Sequence, residues 1–147
     1  MWGPWVTLPR LLGLSLAAPD RQVVCLDGDS AAIMHLGALA MAEEARGSRF
    51  LHVILNNGAH ESVGGQPSAG YRIDFTAMAK AAGYRTSEGP AKNREDLFRQ
   101  IGELTGEAGP AFIDVRIHKG MKGSLPPLDI DHLDLVNQLM DELQKEK

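Results

Sequence analysis

Two short apolar runs, each followed at once by small and polar residues, constrain the fold of this chain more than any other feature. Residues 22–27 and residues 50–55 are bounded by turn-forming residues and predict two buried strands. Both runs are apolar without alternation, which is typical of parallel strands covered on two faces. Residues 31–45, between them, have the composition of a helix, with Ile33, Leu36 and Ala40 near one face. The order strand, helix, strand predicts a right-handed βαβ unit.

The rest of the chain continues this alternation. Asp74 is placed to cap a helix that Gly83 ends, and residues 84–87 predict a short strand. An amphipathic helix is expected over residues 94–104, and a further strand over residues 110–117. Asp131 caps a predicted terminal helix that carries Leu135, Leu139 and Leu143. We therefore predict an α/β fold, an open and mostly parallel sheet with helices on both faces.

Two segments of the chain need separate comment. Residues 58–71 contain Gly58, Gly64, Gly65, Pro67 and Gly70, and are predicted to form an irregular loop. Residues 11–18 superficially resemble a short secretion signal. They run directly into Pro19 and the first strand, which favours a helix that packs on the sheet. We divide the chain into a truncated lead-in helix (1–18), an α/β domain (19–128) and a C-terminal helix of that domain (129–147).

Composition excludes several classes of protein. A chain of 147 residues holds one α/β domain with a real core, and its formal net charge of −4 argues against general nucleic-acid binding. No apolar run approaches the roughly 20 residues that cross a bilayer, so no membrane association is expected. Cys25 is the only cysteine, which excludes disulfides and fits a cytoplasmic location. Its place within the first strand favours a core residue over a nucleophile. His52, inside the second strand, is likewise expected to pack.

Polar residues follow both strands of the βαβ unit, at the edge where parallel α/β sheets bind ligands. Asp29 follows the first strand and Asn57 the second. A carboxylate and an amide oxygen suit Mg²⁺ or Ca²⁺, and the ion would keep positions for phosphate oxygens. The backbone N–H groups of Ser30 and Ala31 begin the next helix and could receive a diphosphate, while Gly28 allows close approach. Each group alone would be an ordinary turn or N-cap; together they favour a binding site.

The same residues carry a resemblance to a known family. Gly28-Asp29-Ser30 followed by Asn56-Asn57 resembles the cofactor motif of the thiamine-diphosphate-dependent 2-oxo acid decarboxylases and their relatives. The longer run over residues 55–67, LNNGAHESVGGQP, is similar to the phosphonopyruvate decarboxylase branch, with the sulfopyruvate decarboxylases close by. The similarity extends from about residue 16 to residues 119–120.

The resemblance implies a role for each matching residue. Asp29 and Asn57 would bind Mg²⁺ through their side chains, and Ala59 through its main-chain carbonyl. Gly28, Ser30 and Ala31 would contact the diphosphate of thiamine diphosphate. His60 would lie over the cofactor near the reacting carbon and is the candidate catalytic residue; the alternative is a loop histidine in a structural hydrogen bond. Lys119, at the same sheet edge, or Lys122 could attract an anionic substrate, although a solvated basic loop is the simpler interpretation.

Two departures from the family pattern qualify what this chain does alone. Ser30 stands where glycine is commonest. The family also pairs this domain with a second α/β domain that grips the aminopyrimidine and supplies an activating glutamate, and 147 residues leave no room for it. The resemblance therefore implies a carboxy-lyase for a small 2-oxo acid, inactive as an isolated chain and completed in an oligomer by a pyrimidine-binding domain or subunit. Three alternatives stay open for the chain. It is part of a phosphonopyruvate decarboxylase, it is the β-type subunit of a sulfopyruvate decarboxylase, or it is a silent cofactor-binding or assembly remnant.

Overall fold

The computed structural model describes residues 7–120, 123 and 129–145. The strands are β1 (Gln22–Gly28), β2 (Arg49–Asn56), β3 (Ala59–His60), β4 (Gln66–Pro67), β5 (Arg85–Thr86) and β6 (Gly109–Arg116). The α-helices are α1 (Thr7–Ala17), α2 (Asp29–Met34), α3 (Phe75–Ala81), α4 (Arg94–Leu104) and α5 (His132–Gln144). Two 3₁₀ helices cover Leu36–Ala45 and Glu61–Val63.

Four of the strands form one parallel sheet in the order β1-β2-β6-β5. The register pairs Gly28 with Leu55 and Asn56 with Arg116, so β1, β2 and β6 end at the same edge. The predicted α/β class and the predicted βαβ unit are both confirmed. That shared edge is where the polar residues of the two strand ends meet.

Helices cover the two faces of the sheet unequally. On one face α1, the Leu36–Ala45 helix and α3 enclose a core that includes Cys25, Phe50, Ile54, Phe75 and Phe112. On the other face α4 packs Leu97, Ile101 and Leu104 against residues of β2 and β6. Burial of this apolar surface on both faces is the main source of stability for a fold of this kind.

The prediction that both early strands are covered on two faces is right for β2 and wrong for β1. Burial alternates along β1, with Cys25 fully buried while Val24 is 45 % and Leu26 60 % exposed. The cause is position: β1 lies at the edge of the sheet, and α4 covers β2 and β6 on that face. Val24 and Leu26, on this face of β1, therefore stay exposed.

The helix predicted over residues 31–45 is two helices. α2 ends at Met34, because the backbone of His35 (φ −122°, ψ 31°) lies outside the helical region, and a 3₁₀ helix begins at Leu36. In that helix the buried residues Leu39, Ala42 and Ala45 recur every third position, the period of a 3₁₀ helix. Ala40, which we expected to face the core, is exposed. Helix-forming composition alone does not distinguish the period of an α-helix from that of a 3₁₀ helix.

The glycine-rich loop is more regular than predicted. β3 and β4 pair as a two-stranded antiparallel ribbon, with Ala59 opposite Pro67 and His60 opposite Gln66. Gly64 (φ 113°) and Gly65 (φ 76°) provide the turn, because both adopt a conformation that side chains disfavour. The ribbon gives the segment after Asn57 a defined position over the sheet edge.

The predicted helix caps Asp74 and Asp131 are confirmed. Each accepts a hydrogen bond from a backbone N–H of the helix that follows, and Asn93 does the same for α4. α1 begins at Thr7, before the predicted run of residues 11–18. Residues 1–6 of the 1–18 segment, and Lys122, lie outside the described residues. α5 buries none of its side chains and contacts the chain near the end of α1, where Arg21 donates to the carbonyl of Glu142. In the described part of the chain, no helix is long and apolar enough to cross a membrane.

Candidate functional site

Asp29 lies at the carboxyl end of β1, where the strand passes into α2. Its side chain is 2 % exposed, and Oδ2 accepts a hydrogen bond from the Ser68 hydroxyl. Gly28 precedes it in an extended conformation with nothing within 4 Å of where a Cβ would stand. The backbone N–H groups of Ser30 and Ala31 lie in the first turn of α2, where intrahelical acceptors are absent. This strand end therefore presents a carboxylate beside free amide donors.

Asn57 and Ala59 follow β2 at the same edge. The Oδ1 atom of Asn57 accepts from the Ala59 backbone N–H at 3.0 Å, and its Nδ2 donates to Glu61 at 2.7 Å. The Ser30 hydroxyl reaches the carbonyl of Ala59 at 3.4 Å, which joins the two strand ends directly. Asn57 is 9 % exposed, so its amide is held within the site.

One cleft of about 610 Å³ contains every residue that the sequence singled out for cofactor or metal binding. These are Gly28, Asp29, Ser30, Ala31, Asn57, Ala59 and His60. His60 is half-buried on β3 and lines the same cleft. Apolar side chains complete the walls, among them Leu26, Met34, Leu55 and Val63. The structure therefore brings the predicted residues together, while their individual roles stay predictions.

Asn56 and Asn57 are adjacent in sequence but make different contacts. Asn56 is fully buried and donates from Nδ2 to the carbonyl of Gly70 at 2.9 Å, while its Oδ1 accepts from the N–H of Gly58 at 3.3 Å. It therefore ties the loop to the strand end. Asn57 is the member of the pair that lines the cleft.

Gly70 is required by close packing against the site. A Cβ at this position would overlap Oδ2 of Asp29 and would lie 2.6 Å from Oδ1 of Asn56. Its N–H donates to the Ser68 hydroxyl at 3.0 Å, and its carbonyl also accepts from Arg116 at 3.3 Å. Residues 68–70 therefore form a brace under the carboxylate of Asp29.

A buried ion pair supports that brace from β6. Asp114 is 2 % exposed and lies 3.1 Å from Arg116, whose guanidinium stacks on the Tyr71 ring at 5.0 Å from the centroid. Burial raises the pKa of Asp114, and the nearby Arg116 partly opposes that rise. Asp29 also raises the pKa of Asp114, which places this carboxyl within electrostatic reach of the candidate site.

Sequence reasoning missed Glu61, Ser68, Gly70 and Asp114 as parts of the site. Glu61 joins Asn57 to the backbone N–H of Gly120, the latter at 2.5 Å. Its position next to His60, a predicted site residue, could have identified Glu61 from the sequence. Nothing in the sequence marks Ser68 or Gly70, because their contacts depend on how the loop folds back. Lys119 contacts this loop through the carbonyl of Gly65 at 3.5 Å.

The interpretation of Cys25 and His52 as core residues is confirmed. Both are fully buried, and burial with the neighbouring Asp27 raises the pKa of the Cys25 thiol to about 12. A thiol with such a pKa is not a thiolate at neutral pH and is a poor nucleophile. His52 packs edge-on against Phe112, with ring centroids 5.3 Å apart.

The donor set at the cleft fits a hard divalent cation. The Asp29 carboxylate, the Asn57 amide and the Ala59 carbonyl all offer oxygen, the ligand atom that Mg²⁺ prefers. The contact from Asn57 Nδ2 to Glu61 turns the amide nitrogen away and leaves Oδ1 beside Ala59. Three protein oxygens would leave about half of an octahedral shell to phosphate oxygens and water.

Comparison with known proteins identifies relatives of the chain. Residues 6–115 match the family model described as "Thiamine pyrophosphate enzyme, C-terminal TPP binding domain". Phosphonopyruvate decarboxylase of Streptomyces hygroscopicus is 36 % identical over 114 residues, which are 78 % of this chain and 28 % of that protein. Sulfopyruvate decarboxylase subunit beta of Methanothermobacter thermautotrophicus is 29 % identical over 135 residues, 90 % of this chain and 69 % of that subunit.

A solved structure agrees with these relatives. The thiamine diphosphate-dependent 4-hydroxybenzoylformate decarboxylase of Rhodococcus jostii RHA1 superposes with a TM-score of 0.65 and 26 % identity, covering 80 % of this chain and 24 % of that one. This chain thus spans little more than a quarter of the phosphonopyruvate decarboxylases that it matches. Since the family model covers well over half of the sequence, the chain belongs to the family of C-terminal thiamine-pyrophosphate-binding domains of thiamine pyrophosphate enzymes.

Proposed function

We propose that this chain is the diphosphate- and Mg²⁺-binding domain or subunit of a thiamine-diphosphate-dependent 2-oxo acid decarboxylase. The observation that carries the proposal is the meeting of Asp29, Asn57 and Ala59 in one cleft at the carboxyl edge of the sheet. Ser30 lies within 3.4 Å of the Ala59 carbonyl, so the strand ends are close enough to share one ion and its phosphate ligands.

The residues of this chain act chiefly by binding and positioning. Asp29, Asn57 and the Ala59 carbonyl would hold Mg²⁺, while the backbone N–H groups of Ser30 and Ala31 would donate to the diphosphate. Gly28 leaves the approach open, since no side chain stands there. When bound, thiamine diphosphate supplies the nucleophilic carbon and the electron sink for loss of CO₂. The apolar side chains of the cleft would exclude water from that reaction.

His60 is proposed as the substrate-side group. It is half-buried, lines the cleft and lies on the ribbon formed by β3 and β4. An imidazole there could donate to an anionic group of a 2-oxo acid or carry a proton. Lys119 donates to the Gly65 carbonyl, in the loop that follows His60, and could attract the anion.

The proposed substrate is phosphonopyruvate, converted to phosphonoacetaldehyde and CO₂. Two phosphonopyruvate decarboxylases of Streptomyces match at 36 % and 34 % identity, which supports this choice. The alternative is the β-type subunit of a sulfopyruvate decarboxylase. It is favoured by length, because the chain covers 69 % of one such subunit and 70 % of another.

A partner is part of the proposal in either case. Because the chain spans 28 % of the first phosphonopyruvate decarboxylase, we propose that a pyrimidine-binding domain or subunit completes the site in a cytoplasmic oligomer. The isolated chain would then bind the cofactor without catalysing decarboxylation. The third candidate, a silent remnant, would bind the cofactor weakly and serve in assembly.

Reconstitution tests the activity. The purified chain is mixed with a candidate pyrimidine-binding chain, thiamine diphosphate and Mg²⁺, and CO₂ release is measured with phosphonopyruvate and with sulfopyruvate. Release from phosphonopyruvate that requires both chains supports the first assignment, and preference for sulfopyruvate supports the second. Cofactor binding with no release from either 2-oxo acid would favour the remnant.

A further inference from the structure

We propose that Glu61 is a positioning residue that fixes the orientation of the Asn57 amide, so that oxygen rather than nitrogen faces the cation. The inference rests on the proposed function, because it concerns the same Mg²⁺ site. It is independent of the substrate and of the partner domain.

The chemistry of the contact fixes the amide. Carboxylate oxygens accept hydrogen bonds, so Nδ2 of Asn57, at 2.7 Å from Glu61 Oε2, must be the amide end that faces Glu61. Oδ1 then lies on the other side, where it accepts from the Ala59 N–H at 3.0 Å and keeps a second lone pair. The two ends of an amide are nearly identical in shape. A flipped Asn57 would present N–H donors to a cation, which binds oxygen.

A second contact holds Glu61 itself in place. Its Oε1 accepts from the Gly120 N–H at 2.5 Å, so the two carboxylate oxygens serve two different donors. Lys119 adds a contact to the same loop through the Gly65 carbonyl. Glu61 therefore links the loop after Asn57 to the segment after β6. In the Glu61→Gln variant one of these two oxygens becomes an NH₂ group, which donates, so one of the two present hydrogen bonds is lost.

Exposure of the Glu61 side chain separates this role from core packing. The residue is exposed and contributes to neither apolar cluster, so its replacement should leave the fold intact. Residues that orient a metal ligand commonly change metal affinity by about 10- to 100-fold when they are replaced. We expect the lower end of that range, because the Ala59 N–H also favours the same amide orientation.

A double-mutant cycle tests the inference with Mn²⁺ as the probe. Mn²⁺ is titrated, with thiamine diphosphate present, into the wild-type chain, Glu61→Ala, Glu61→Gln, Asn57→Ala and the double Glu61→Ala/Asn57→Ala variant. Free Mn²⁺ is followed by electron paramagnetic resonance. Glu61→Ala should raise the Mn²⁺ Kd about tenfold. In the Asn57→Ala background the same replacement should have little further effect. Glu44→Gln, which replaces an exposed carboxylate remote from the cleft, is the matched control.

Two results would overturn the proposal. One is an unchanged Kd in both Glu61→Ala and Glu61→Gln. The other is an equal loss of Mn²⁺ affinity with and without Asn57, which would show that Glu61 acts through its charge alone.

A measurement without cofactor separates this inference from the proposed function. In ¹⁵N spectra, hydrogen exchange of the Asn57 side-chain amide should accelerate in Glu61→Ala. If the wild-type chain binds no Mn²⁺, the proposed function fails, and unchanged amide exchange would refute the orienting role.

Discussion

The Ser68 hydroxyl donates a hydrogen bond to Oδ2 of Asp29, and the Gly70 N–H donates in turn to that hydroxyl at 3.0 Å. One oxygen of the carboxylate is therefore engaged by the loop, and Oδ1 is left for the cleft. The carboxylate of Asp29 is thus supported by residues 68–70, which lie outside the run that carries the family resemblance.

Gly70→Ala should destabilise the protein and weaken cofactor binding together. The new methyl group would overlap Asp29 Oδ2, so the loop and the carboxylate must separate. We expect the free energy of unfolding to fall by about 1–3 kcal/mol, as for other overpacked sites. Urea unfolding measures the change.

Gly102→Ala is the matched control for that experiment. Gly102 lies within α4, and a Cβ there meets nothing within 4 Å. Alanine should stabilise this helix position by about 0.5–1 kcal/mol. Equal effects of the two replacements would contradict the bracing role of Gly70.

Asn57→Ala should weaken Mg²⁺-dependent binding of thiamine diphosphate less than replacement of Asp29 does. The amide is a neutral ligand, whereas the carboxylate brings a charge to the cation. We expect a roughly 10- to 100-fold increase in Kd, about 1.4–2.8 kcal/mol. Calorimetric titration of both variants compares their affinities for thiamine diphosphate. Weaker binding by Asn57→Ala than by the Asp29 variant would contradict the assignment of Asp29 as the charged ligand.

Asp114 should make stability fall as the pH rises. Its folded-state pKa is raised by burial, so the folded protein binds this proton more tightly than the unfolded chain does. The contribution of Asp114 to the free energy of unfolding is fully present below the ordinary pKa of 3.8. It is lost as the pH rises through the higher pKa of the folded protein. Asp114→Asn should remove this part of the pH dependence. Urea unfolding from about pH 4 to about pH 7 tests it, and parallel curves for the two proteins would contradict it.

Cys25 should resist thiol reagents in the folded protein. The side chain is fully buried, and its pKa is raised to about 12. A disulfide reagent at neutral pH should therefore label the protein only in denaturant, where the thiol becomes accessible. Stoichiometric labelling of the native protein, at a rate faster than global unfolding, would show that Cys25 is not a core residue.

The sequence was sufficient to predict the parallel strands of the βαβ unit and the meeting of Asp29 and Asn57 at one edge of the sheet. Local signals carry that information: Asp29 and Asn57 each follow an apolar run directly, and parallel strands bring their ends together. Glu61 and Gly70 were missed because their contacts are made after the loop folds back on the strand ends. The exposure of Leu26 was missed for another reason, since an edge strand and a central strand can share one apolar pattern.

Calorimetric titration of thiamine diphosphate into the full chain, first with Mg²⁺ and then with EDTA, measures whether cofactor binding depends on a cation held by Asp29. Asp29→Asn is the informative variant, because it keeps the volume of this buried side chain and an oxygen that can accept from Ser68. We expect the wild-type chain to bind thiamine diphosphate only with Mg²⁺ present, and the folded Asp29→Asn variant to lose this binding. Binding that persists unchanged in EDTA, or in Asp29→Asn, would contradict it.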